Sequence, residues 1–153
     1  MGKILLDKSS LPPGPWMDEP DRLEWDHKGI SCLILRVHLG HLCGYVRVPK
    51  GHPYYGEGSS YLDEDCVHGG ITFSKEDDEI PDMWRIGFDC GHAWDLIPAF
   101  LKSPYSIIFD DEQYRDISYV KAEVERLADQ CKEAMNLKEM MKVYEKELKK
   151  LGD

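Results

Sequence analysis

Near the middle of the chain Asp89, His92 and Asp95 stand three residues apart, inside the run Asp89-Cys90-Gly91-His92-Ala93-Trp94-Asp95. A carboxylate, an imidazole and a second carboxylate so spaced invite two kinds of chemistry. A divalent transition metal can take any of the three, with His68 or His41 as a more distant ligand. Alternatively, Cys43 or Cys90 can act as a nucleophile with a nearby histidine as its base. Neither pattern is a complete motif, because the chain has no H-E-x-x-H pair and no C-x-x-C knuckle. Structural roles compete for the same groups and are favoured. Asp95 can cap a short helix that follows it. Asp89 can pair with Arg85 or Arg115. His68, beside Gly69-Gly70, and His92 can bond backbone. The reading adopted takes His41, Cys43, Tyr45, His68, Asp89, His92 and Asp95 as ligand-binding candidates, with no metal, no cofactor and no assigned catalytic residue.

These residues meet only if a sheet brings them together. Residues 7–29 contain Leu11-Pro12-Pro13-Gly14-Pro15 and read as an irregular arm held by Trp16 and Trp25. Strands are expected over 30–37 and 41–48, joined by a short break that favours a hairpin. Alternation puts Leu42, Gly44, Val46 and Val48 on one face and His41, Cys43, Tyr45 and Arg47 on the other. A loop follows over 54–65, then a third strand over 66–74, an acidic loop over 75–82 and a fourth strand over 83–90. In the fourth, Trp84, Ile86 and Phe88 oppose Arg85, Gly87 and Asp89. If the four strands form one antiparallel sheet, His41, Cys43 and Tyr45 lie near His68 and Asp89 on a shared face. A short helix is expected over 95–102.

The C-terminal part carries two helical stripes, one of Val120, Val124, Leu127, Ala128, Cys131 and Met135, the other of Leu137, Met140, Met141, Tyr144, Leu148 and Leu151. Asn136 and Glu139 read as a capping box, so a break between two helices is expected. The organisation expected is an α+β domain over 1–135, with about four antiparallel strands, and a helical extension over 136–153. The second stripe suits a core-facing or self-pairing seam, which makes a homodimer through the C-terminal helix an expectation.

Bulk composition narrows the classes. The 153 residues amount to one domain, and 42% hydrophobic content argues against disorder. No apolar run approaches the ~20 residues of a membrane span. Asp7 interrupts the apolar run at 4–6 too early for a signal peptide, and five cysteines without paired spacing fit a reducing compartment, so a cytoplasmic protein is expected. Net charge is −10, concentrated over residues 71–118, where 11 acidic residues face 4 basic ones. Such a surface repels phosphate backbones, so no direct nucleic-acid binding and no membrane partner are expected.

Four segments are more specific: HLCGYVRVPKGHPYYG at 41–56, VHGGITF at 67–73, WRIGFDCGHAWD at 84–95 and YRDISYVKAEVERLAD at 114–129. In this order they resemble a family of small proteins of tailed phages, prophages and bacterial genomes, over about residues 25–130. The resemblance implies an accessory product of mobile DNA and assigns no mechanism or residue roles. The function expected is a binding protein in the host cytoplasm, which captures a host protein or a small ligand and so counters host defence. The alternatives are a small hydrolase using the His/Asp/Cys cluster and an acidic nucleic-acid mimic.

Overall fold

A computed structural model describes residues 7–58, 66–102 and 111–152. The apolar run at 4–6, residues 59–65 of the expected loop and Asp110 of the central acidic excess lie outside the described residues. The elements are β1 (Arg22–His27), β2 (Ile30–Arg36), β3 (Leu42–Pro49), β4 (Phe73–Glu76), β5 (Met83–Asp89) and α1 (Ile117–Gly152). The strands form one antiparallel sheet in the order β1-β2-β3-β5-β4. The α+β class is as expected, with five strands rather than about four.

The added strand is β1, inside the arm read as irregular. Leu23 and Trp25 alternate with exposed Arg22, Glu24 and Asp26 and pack onto the core. The turn into β2 is built by Lys28 and Gly29, both at positive φ (53° and 84°), the geometry of a two-residue hairpin. Asp26 Oδ1 accepts from the Gly29 N–H at 2.9 Å and closes the turn. The expected third strand is shorter than read. Gly69 and Gly70 take left-handed φ of 69° and 81°, and Gly70 N donates to Val67 O. Residues 66–70 are therefore a turn, and pairing to β5 starts at Phe73.

The strand faces fall as alternation dictates. Cys32 and Ile34 of β2, Val46 and Val48 of β3, and Ile86 and Phe88 of β5 meet Val120, Val124, Leu127, Ala128 and Cys131 of α1. Each fully buried side chain of this size contributes about 1.5–3 kcal/mol by leaving water. The opposite face buries Leu33, Leu35, Val37, Cys43 and Tyr45.

Helix α1 runs unbroken through Asn136, so the expected break is absent. A mid-helix Asn costs only about 0.7 kcal/mol against Ala, and the residues around it are good helix formers. Its N-terminus is fixed by Asp116, whose Oδ1 accepts from Tyr119 N, and by Glu19, whose Oε2 accepts from Ile117 N. Glu19 also receives the Tyr114 hydroxyl at 2.5 Å and fully buried Arg36 at 3.4 Å, tying the N-terminal arm to the helix start. The last buried helix residue is Cys131, and the remaining turns project beyond the sheet. Among the described residues no helix is long and apolar enough to cross a membrane.

Candidate functional site

The turn after Val67, the loop after β5 and the first turn of α1 converge at one corner of the molecule. Because the Asp116 cap starts α1, Tyr119 falls in its first turn and its hydroxyl meets His68 Nδ1 at 2.7 Å. On the other side of the same ring, His68 Nε2 lies 2.9 Å from Asp95 Oδ2. Asp95 Oδ1 accepts from Arg115 Nε at 2.9 Å, and Asp95 Oδ2 also accepts from His92 N at 3.1 Å. Arg115 lies over the Tyr119 ring at 4.9 Å. The Asp95 side chain is fully buried. Burial alone would push its carboxyl up, but the hydrogen bonds from His68 and Arg115 outweigh burial and hold it below the usual carboxylate range.

Above this chain His92 stacks on Trp94, with ring centres 5.2 Å apart and planes 11° from parallel. Trp94 is 48% exposed. Gly69 closes over His92 so tightly that a Cβ there would sit 2.2 Å from His92 Nε2, at a backbone φ that also favours glycine. His92 Nε2 is buried and approaches Asp89 Oδ1 only to 3.5 Å, without a hydrogen bond. Beyond it His41, buried in the sheet end, reaches over Gly91 toward Asp89.

The seven sequence candidates thus divide. His68, His92 and Asp95 form the corner, with Asp89 and His41 beside it. Cys43 and Tyr45 belong to the opposite face, where Tyr45 packs edge-on to Phe73 at 5.5 Å and under Arg85 at 5.0 Å. His68 does not share their face, because it sits in a turn and points to the helix. Other assignments change too. Asp95 caps no helix: the short helix begins only at Pro98, and the carboxylate turns back to His92 N. Asp89 pairs with neither arginine; it accepts from Thr72 Oγ1 and Gly91 N, while Arg115 serves Asp95. His68 bonds side chains rather than backbone, and His92 Nε2 bonds neither. Arg115 and Tyr119 were missed as members of the site. Only the position of Tyr119 in the first helical turn hints at its role.

The chemistry open to the corner is limited. Burial pushes the Cys43 thiol up to about 12 and raises Cys90 further, so neither supplies thiolate near neutrality. Among the described residues no group of three His, Cys, Asp or Glu side chains is arranged to hold a metal ion. Both His68 nitrogens are engaged inside the protein. Compared with known proteins, the chain matches no family model, no curated protein and no solved structure.

Two buried histidines set the pH response. Burial is the main cause holding both His41 and His52 below the ordinary histidine value. His52 Nδ1 accepts from Tyr54 N at 3.0 Å and Nε2 meets Cys131 O at 2.8 Å, a pairing that requires the neutral ring with its proton on Nε2. A folded pKa below the unfolded value of about 6.5 means that the folded state binds fewer protons. The contribution is present above about pH 6.5 and is lost as pH falls through the folded pKa. The melting temperature is therefore expected to drop between neutrality and pH 5, before carboxylates titrate, and His52→Gln should flatten that slope. An identical slope in the variant would remove His52 from the account.

Proposed function

We propose that the chain is a binding protein of the phage or prophage accessory kind. It acts in the host cytoplasm, captures a host protein or a small ligand at the corner carrying His92, Trp94 and the Gly69-Gly70 turn, and so counters host defence. The observation that carries this reading is the division of labour at the corner. The groups able to do acid-base work, His68 and Asp95, spend their hydrogen bonds inside the protein, while an indole stacked on an imidazole stands half-exposed above them. A large, partly exposed aromatic is the residue type that dominates binding energy at protein interfaces. The second stripe on α1 adds self-association to this reading, as a homodimer through the C-terminal helix. Native mass spectrometry of the protein recovered from its host tests the capture: a retained stoichiometric partner or ligand is expected, and a bare chain under mild ionisation counts against it.

One observation favours the hydrolase alternative. Tyr119, His68 and Asp95 form a hydroxyl–imidazole–carboxylate chain, the arrangement of a nucleophile, its base and the group orienting that base. Against it, burial raises the Tyr119 hydroxyl above the ordinary tyrosine value, the wrong direction for an activated nucleophile. Tyr119→Phe separates the readings: a binder keeps its biological activity with a small loss of stability, and an enzyme loses turnover.

A further inference from the structure

The projecting half of α1 leaves a row of large apolar side chains in water. Leu137, Met141, Tyr144, Leu148 and Leu151 are between 49% and 84% exposed. Their spacing is four, three, four, three, the 3.5-residue period of a two-helix seam rather than the 3.6-residue period of a helix lying on a sheet. The flanking surface carries five lysines and three glutamates over 137–152, beside exposed Met140 and Val143. A helix of this composition gains little from tertiary contact on its own.

We propose that this segment pairs with the same segment of a second copy as an antiparallel, two-fold coiled coil; the inference rests on the homodimer part of the functional reading and fixes its orientation and register. In the antiparallel register Leu137 meets Leu148 of the partner chain and Met141 meets Tyr144, so each layer recurs across the two-fold and no tyrosine stacks on tyrosine. Positions flanking one edge of the seam then place Lys138 beside Glu145 of the second copy, twice by symmetry. The parallel alternative stacks Tyr144 on Tyr144 and sets Glu145 opposite Met140. It also brings together the two bodies, which carry all of the chain's net acidity, whereas the antiparallel arrangement holds them at opposite ends. Lys138 bonds Gly51 O within its own chain and must exchange that contact, which costs little at an exposed site.

Sedimentation of the full chain, with charge-swapped variants at these exposed positions, tests the inference, and thermal unfolding of each variant checks that the fold is retained. The wild type is expected to dimerise, and Leu148→Glu to abolish the dimer while unfolding stays cooperative, at a melting temperature that no longer rises with protein concentration. Lys138→Glu should weaken the dimer about tenfold, from two lost attractions turned repulsive. Lys138→Glu combined with Glu145→Lys should restore it. If the wild type dimerises but restoration requires Glu133→Lys instead, the helices are parallel: the inference fails while the homodimer reading stands. A monomeric wild type, or a dimer indifferent to Leu148→Glu, overturns both.

Discussion

Asp95→Ala is expected to destabilise the fold by about 3–5 kcal/mol, the cost of removing one partner from a buried charged pair. Asp95 receives three hydrogen bonds from three chain segments: His68 in the turn at 66–70, Arg115 before the helix, and His92 N in the loop after β5. Its loss leaves Arg115 Nε, on a side chain only 18% exposed, and His68 Nε2 without their acceptor, while Arg115 Nη1 keeps Gln113 Oε1. Losing ordinary neutral hydrogen bonds would cost only about 0.5–1.5 kcal/mol each. The magnitude therefore discriminates. Urea denaturation with an unchanged m-value is the check. A loss near 1 kcal/mol would mean that Arg115 swings into water and that the corner is not held by its charge.

The second large effect is expected from Asp77→Asn, about 3 kcal/mol. Asp77 lies at the start of the β4–β5 connection with a fully buried side chain. Its Oδ1 faces Arg47 Nε at 3.2 Å and Arg85 Nε at 2.6 Å, and its Oδ2 accepts from Ile80 N at 2.7 Å. Arg47 and Arg85 are themselves buried, opposite each other in the β3–β5 register. Asparagine keeps the size but removes the charge that balances two guanidiniums. Glu79 remains beside both at 3.3 and 2.9 Å, which places the effect at the low end for a broken buried pair. Burial raises the Asp77 carboxyl, and the Ile80 N–H and the two arginines more than offset it, so its folded pKa lies below the ordinary value. That contribution is present above about pH 4 and is lost as pH falls through the folded pKa. Acid titration of the wild type should show a second stage below the histidine stage, to which Asp95 also contributes, and Asp77→Asn should shrink that stage without removing it.

Period-2 alternation placed the strand faces because β2, β3 and β5 are long and the chain buries both sides of them. It missed β1, where three of six positions are charged and the preceding prolines disguise the pattern; the Lys28-Gly29 turn was the available signal. It overextended the third strand because Gly69 and Gly70 keep the apolar spacing while their φ angles turn the chain. The same turn moved His68 from the sheet to the helix. Of the candidate site, the Asp95, His92 and His68 grouping was legible from residue type. Its partners were not, since Arg115 and Tyr119 arrive through tertiary packing that no local spacing encodes. Asp95 rather than Asp89 takes Arg115 because the loop after β5 carries Asp95 inward, while Asp89, the last residue of β5, stays beside Thr72 and Gly91.

On the proposed reading, the buried network holds the corner and the exposed Trp94 binds the partner or ligand. Trp94→Ala separates the two roles when occupancy is read by native mass spectrometry of protein recovered from its host and stability by a thermal melt of the same sample. The melting temperature is expected to change little, because the half-exposed indole packs on His92 and touches His68 only edge-on at 6.2 Å, while the partner or ligand expected on the wild type is lost. A variant that retains the full complement of partner at wild-type stability would contradict it.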